Sequence, residues 1–405
     1  REYPAISNDF IEEALWSGKF ILKMQDPSTG MFFEDVGGGG GLRAEPNMHW
    51  WYENHAGCTA DNTENRFTDN IPGSGDERRV RVQYNPIVQY TNIYILLRIA
   101  KAISSTLPDM EASLKGAAMR AWAYMEEKTN DHYHQWTSVL SWRLIAVTKI
   151  HEMELVPNQN LQGDLDNLLD NFNPDTGFWF MDGRKKDCYR GILHSAQPLI
   201  ALCKLIGSGI MMEKSDHIKQ ILQTVLLQYI RPMVNTNPFG FMPYGAYFEA
   251  LTKHDVYRKL NDKILFRFVM PVNSDMRINH GLAGHWTSWS HALALMSDVL
   301  DNNELQAMAW DQLHWLMGNN THNISFVSGI GYNNPMPHSR FKGTQIGGFM
   351  NAFAGTEKDI PGVDTDGQAA WNSTEYWNTP LANSMMALAI LLKEPPVNKI
   401  GTKIN

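Results

Sequence analysis

Residues 371–378 read WNSTEYWN and place one carboxylate, Glu375, among Trp371, Asn372, Tyr376, Trp377 and Asn378. An acid wedged between Trp and Tyr is partly desolvated. Desolvation raises a carboxyl pKa, which is what a general acid needs at neutral pH. The bland alternative is a first-turn acid that complements a helix dipole. Pro380 argues against it, because the regular helix is expected to start near that proline, several residues later.

The same long loop, 319–380, carries GIGYNNPMPHSRF at 329–341, with His338 and Arg340 two apart, and then Asp364 and Asp366 in DTD. Arg340 suits sugar hydroxyls or a carboxylate, and His338 suits donation to a hydroxyl or leaving oxygen. A salt bridge from Arg340 to Asp364 or Asp366 would tie the loop down instead.

Two further loops concentrate aromatics. MHWWYENHAGC (48–58) sets Trp50, Trp51 and Tyr52 side by side in Gly-rich chain, so a stacking platform is expected there. NPFGFMPYGAYFEA (237–250) suggests a rim position for Tyr244. Metal signals are poor. His132 and His134 lie near Asp131, and His280 and His285 near Asp275, but neither pair has metal-ligand spacing, and both read as hydrogen-bonded structural groups. DTDG (364–367) allows a structural calcium, yet the other ligands of a calcium loop are missing. No phosphate loop or nucleophile elbow occurs.

These residues must be positioned by helices. Apolar periodicity predicts ten, over 9–24, 86–104, 109–127, 137–153, 160–172, 195–210, 217–230, 285–301, 303–318 and 381–393, and almost no strand. In the last of them Leu381, Met385, Leu388 and Ala389 fall at helical spacing. Gly318 is placed to stop the ninth. Long loops rich in aromatics and Gly alternate with short ones. Paired helices with long loops on one side predict an all-α toroid, an α/α barrel of one domain spanning 1–405. No repeat period supports a helical stack.

The chain has 405 residues and a formal net charge of -8 without a basic stripe, so nucleic acid and anionic membranes are poor partners. No apolar run is long enough to span a membrane. Cys58, Cys188 and Cys203 allow one disulfide at most and do not fix the compartment. Thirteen Trp and fourteen Tyr suit a carbohydrate cleft, since sugar rings pair an apolar face with polar edges, though core filling uses the same residues.

The C-terminal third resembles glycoside hydrolase family 9, the inverting cellulases with an (α/α)6 barrel. The likeness runs through AWDQLHWLMGNNTHNISFVSGIGYNNPMPHSRF (309–341) and on from Gly343 to Leu391. It implies that Glu375 is the general acid and that His338 and Arg340 contact sugar. A weaker likeness around LKMQDPSTGMFFEDVGGGG and HWW makes His49 or its neighbours Trp50 and Trp51 candidate sugar contacts, and Tyr244 and Trp371 are candidates from their own loops. It further implies a polysaccharide or oligosaccharide partner and a secreted, periplasmic or cell-surface protein. Departures are clear: Ser339 replaces a family His, Thr374 an Asn, and the Asp-Ala-Gly-Asp motif that supplies the family's base is absent. In the family that motif precedes the helix that 9–24 resembles. Asp35, Asp275, Asp364 and Asp366 are the candidate replacements. These 405 residues are therefore expected to bind glycan and hydrolyse it poorly. The runner-up is a descendant that binds glycan or serves assembly without catalysis.

Overall fold

The computed structural model describes residues 4–38, 78–80, 82–155, 160–273, 280–338, 344–365 and 370–393. The chain divides into two compact units, residues 1–134 with 149–157, and residues 135–148 with 158–405. Both are mainly helical.

In the first unit α1 (Pro4–Lys23), α2 (Pro86–Ile103) and α3 (Pro108–Glu126) pack on one another. Asn85 caps α2 by accepting from Ile87 N and Val88 N, and Pro86 occupies its first turn, where no amide is needed. A short ribbon joins β1 (Val36–Gly38) to β2 (Arg78–Val80) in antiparallel register. His134 shares a 2.9 Å hydrogen bond with the Tyr90 hydroxyl, and His132 lies 2.9 Å from Asp131, so both are engaged in local structure.

The second unit holds α5 (Leu161–Asp170), α6 (Gln197–Ser208), α7 (Ser215–Val225), α8 (Ala283–Leu300), α9 (Asn303–Leu316), the single turn α10 (Trp371–Thr374) and α11 (Asn378–Leu391). Helix α4 (Thr137–Glu152) begins in this unit, and its last turn belongs to the first. Helix α7 runs on through a π-turn, Leu226–Ile230, into one more α-turn, Arg231–Val234. Gly209, with φ +72°, ends α6 in the left-handed conformation that favours glycine.

Helix α8 is the hub. It is buried on nearly every side from Ala283 to Met296 and packs on α6, α7, α9 and α11. Helix α11 buries Pro380, Ser384, Ala387 and Leu391 rather than the expected Leu381, Met385, Leu388 and Ala389. Apolar residues surround this helix, so periodicity does not select a face, and packing does.

The loops between these helices carry core. Phe241, Phe326, Phe349, Met350 and Phe353 join Trp286 and Trp315 in one buried cluster. A three-stranded antiparallel sheet lies in the long loop before α8, in the order β5 (Gly245–Tyr247), β7 (Leu265–Arg267), β6 (Arg258–Lys259). β3 (Phe172–Asn173) pairs with β4 (Phe178–Trp179). None of these strands exceeds three residues, too short for an alternating pattern to register in the sequence.

The loop sheet is locked by Arg267, whose guanidinium is fully buried. It donates to the carbonyls of Val256, Val269 and Thr356, and it lies 4.0 Å from Asp255 and 3.8 Å from Asp359. Asp359 accepts from Phe268 N and Val269 N at 2.8 and 3.1 Å, and from Arg258 Nε at 2.7 Å. Asp255 accepts from Val272 N and Asn273 N, both at 3.0 Å. Burial works against the Asp255 charge, but these bonds, one from Thr252 and the Arg267 charge outweigh it and hold its pKa below 3.8.

Candidate active site

Glu375 sits between two helices and in neither. Helix α10 ends at Thr374, Glu375 is extended with φ -73° and ψ 139°, and α11 begins at Asn378, with Trp377 in the cap position. The acid is therefore outside the first turn of α11. Its position is set by the main chain. Asn351 N donates to the Glu375 carbonyl at 3.0 Å, Trp377 N to Phe349 O at 3.0 Å, and Ala352 N to Ser373 O at 2.8 Å. The 349–352 segment is held in turn by Met350 N donating to Phe326 O, and by Ala283 N at the head of α8 donating to Asn351 O. Extended chain that lies in no regular strand thus ties Glu375 to the buried hub.

Side chains finish the placement. Trp377 Nε1–H donates to Glu375 Oε2 at 2.8 Å. Tyr376 turns away and shares a 2.6 Å hydrogen bond with Ser328 Oγ. Its ring lies so close to Gly348 that a Cβ there would stand 2.7 Å from it, so this position admits only glycine without movement. Asp364 accepts from Asn372 Nδ2 at 3.1 Å, and its own amide donates to Ser373 Oγ at 3.0 Å, which ties the preceding loop to α10.

A row of rings flanks the acid. The imidazole of His280 stands edge-on to Trp377 at 4.4 Å between ring centres and edge-on to Trp371 at 5.9 Å. His280 is 7% exposed, and its Nδ1 is 2.8 Å from Gly281 O. A carbonyl only accepts, so Nδ1 carries the proton. Burial pushes the His280 pKa down, against the opposing pull of the Gly281 bond and the Glu375 charge, and the ring is neutral at neutral pH. Its bare Nε2 is buried with no hydrogen-bond partner, and so is Asn372 Oδ1. Each orphan costs about 1–3 kcal/mol.

The residues singled out in the sequence fare differently. His338 is brought beside Glu375 through the main chain, since His338 N donates to Thr374 O at 3.0 Å, and its side chain is exposed. Trp371 is half-buried in the ring row. Tyr244, expected at a rim, is 3% exposed and belongs to the core cluster, because the chain pairs there with β7 and folds under α8. His49, Trp50, Trp51 and Arg340, with Asp275 and Asp366, lie outside the described residues. Asp35 is half-buried in the first unit. Cys188 and Cys203 are buried free thiols. Among the described residues no three His, Cys, Asp or Glu side chains gather as metal ligands, and no helix is long and apolar enough to cross a membrane.

Trp377 and His280 are the residues that sequence reasoning left out of the site. Trp377 was signalled by lying two residues from the acid. Nothing in the sequence ties His280, almost a hundred positions upstream, to either.

Residues 241–381, which contain this whole arrangement, match the model of glycosyl hydrolase family 9. Over that stretch, less than half of its length, the chain is similar to the family. Several family 9 enzymes of known structure share its fold. The cellulase Cel9M of C. cellulolyticum superposes with a TM-score of 0.54 at 13% identity, over 92% of this chain and 74% of that one. A Zn-binding triple mutant of the family 9 endoglucanase J30 gives 0.58 at 16%, over 96% and 64%. A single mutant of a thermostable endoglucanase from Alicyclobacillus acidocaldarius gives 0.58 at 13%, over 93% and 64%. The chain thus spans less than two thirds of the length of the last two. At such identities the likeness is one of fold. No curated protein matches the chain.

Proposed function

We propose that the chain is a glycoside hydrolase acting on β-linked glucan by inversion, with Glu375 as general acid. The observation that carries this is the placement of Glu375. A half-buried carboxylate is held by the Trp377 indole N–H beside an exposed His338, in the stretch that matches family 9. The acid would protonate the glycosidic oxygen, Trp371 would offer an apolar face to a sugar ring, and His338 and Arg340 would hydrogen-bond hydroxyls. The reading extends the shared fold to an (α/α)6 barrel over residues 1–405 as one domain, supported by the alternation of helices with long loops. It also places the protein outside the cytoplasm, where polysaccharide is met.

Inversion needs a second carboxylate about 6.5–9.5 Å from the acid, on the other side of the sugar, to activate water. Asp364 is engaged with Asn372 and Ser373 and suits bracing. A second reading, glycan binding without turnover, draws on the sequence, in which no Asp-Ala-Gly-Asp occurs. One experiment separates the two: cello-oligosaccharide binding by calorimetry, with reducing-sugar release from soluble β-glucan, for wild type and Glu375→Gln. Release that Glu375→Gln abolishes supports the hydrolase. Binding without release supports the second reading, and neither binding nor release would sink both.

A further inference from the structure

We propose that His280 is a positioning residue for Glu375, acting through Trp377; the proposal rests on Glu375 being the acid of the site. The contacts form a closed circuit. His280 meets the Trp377 indole edge-on at 4.4 Å, and that indole donates to Glu375 Oε2 at 2.8 Å. The Glu375 carbonyl accepts from Asn351 N at 3.0 Å. Asn351 returns the circuit to His280, because its carbonyl closes on Gly281, where a Cβ would stand 2.3 Å from Asn351 O and 2.5 Å from Asn372 O. Gly281 is thus pinned between the two segments that flank the acid, and its carbonyl accepts the Nδ1–H of the His280 ring.

An indole is free to rotate about two side-chain torsions, and only one orientation points Nε1–H at the carboxylate. The His280 ring, packed nearly perpendicular to Trp377, blocks rotation away from that orientation. The ring does so without charge. A cation at this place would hold the carboxylate ionised, which a general acid cannot use, and the buried imidazole is neutral. His280 has no second polar tether, since Nε2 lacks a partner. Its hold on Trp377 is therefore one of shape, and an aromatic substitute should keep it.

The test follows the indole N–H of Trp377 by NMR in 15N-labelled full-length chain, assigned through Trp377→Phe, as the carboxylates are titrated. In wild type this signal should move with the ionisation of Glu375, and Glu375→Gln should abolish the movement. His280→Ala should lose most of it while the other indole signals keep their positions, and His280→Phe should restore it. Full movement in a folded His280→Ala protein would overturn the proposal, as would failure of His280→Phe to restore it. Should the Ala variant not fold, His280→Gln, which fills space without a ring edge, takes its place under the same criteria. Absence of a wild-type NOE between the His280 ring and the Trp377 indole would overturn the proposal outright. The glucan assays judge the proposed function separately, and a chain that neither binds nor cleaves glucan still yields the indole titration.

Discussion

Two loop-borne polar clusters of the second unit are satisfied to different degrees. Around Arg267 almost every polar atom is paired: the guanidinium with carbonyls, and Asp255 and Asp359 with backbone amides. Around Glu375 the chain is held as firmly by backbone bonds, yet the acid stays half-exposed, and His280 Nε2 and Asn372 Oδ1 are left without partners. Buried polar groups are normally paired, and these two orphans lie in the cluster that holds Glu375. The first cluster is a lock, and the second holds the acid proposed for catalysis.

The sharpest way to break that contrast is Arg267→Met. It leaves Asp255 without its cation, Asp359 with Arg258 alone, and several carbonyls without donors. Unfolding in urea should show a loss of about 3–5 kcal/mol; a loss within about 0.5 kcal/mol would mean that the cluster is no lock. Glu375→Gln should do the reverse. Whatever sugar release the wild type gives should fall by about 10²-fold or more, with stability unchanged within about 0.5 kcal/mol.

Acid should separate charge held by pairing from histidines held neutral by burial. Burial pushes His194 and His285 down to about 4 and His291 to about 3, while the unfolded chain takes up those protons near 6.5. The unfolded state thus binds more protons in between, and stability is full above pH 6.5 and falls as pH drops toward 4. Each pKa unit is worth about 1.4 kcal/mol. The contribution of Asp255, whose folded pKa lies below 3.8, should persist through that window and be lost only at lower pH. Urea midpoints measured across pH, with Asp255→Asn as reference, check both parts, and a flat profile between pH 6.5 and 4 contradicts the first.

Trp377→Phe removes the N–H donor to Glu375 and keeps the ring. A hydrogen bond to a charged group is worth about 1.5–3 kcal/mol, so glucan turnover should fall by roughly tenfold or more, with less effect on stability. The smallest effect belongs to Tyr332→Ala. At 83% exposure this residue supports neither cluster, and a change in stability beyond about 0.5 kcal/mol would point to packing not seen here.

Much of this was readable in the chain. The ten expected helices correspond to observed ones within a few residues at most ends, because their apolar spacing is regular, and Gly318 stands just past α9 as expected. Trp371 and Glu375 were marked by local composition, and residues four apart remain near whatever the fold. Tyr244 misled because Pro-Tyr-Gly reads as a surface turn, while the chain there runs as sheet beneath a helix.

By itself the sequence determined the helices, the loops that lie between them, and the acid with its aromatic neighbours, since each depends on residues close along the chain. Tertiary structure alone decided which face of α11 is buried, that Arg267 closes on Asp255 and Asp359, and that His280 meets Trp377. The His280–Trp377 contact joins residues almost a hundred positions apart through a glycine pressed between two carbonyls. No local pattern encodes such a meeting, because the geometry that makes it favourable exists only once the chain has packed.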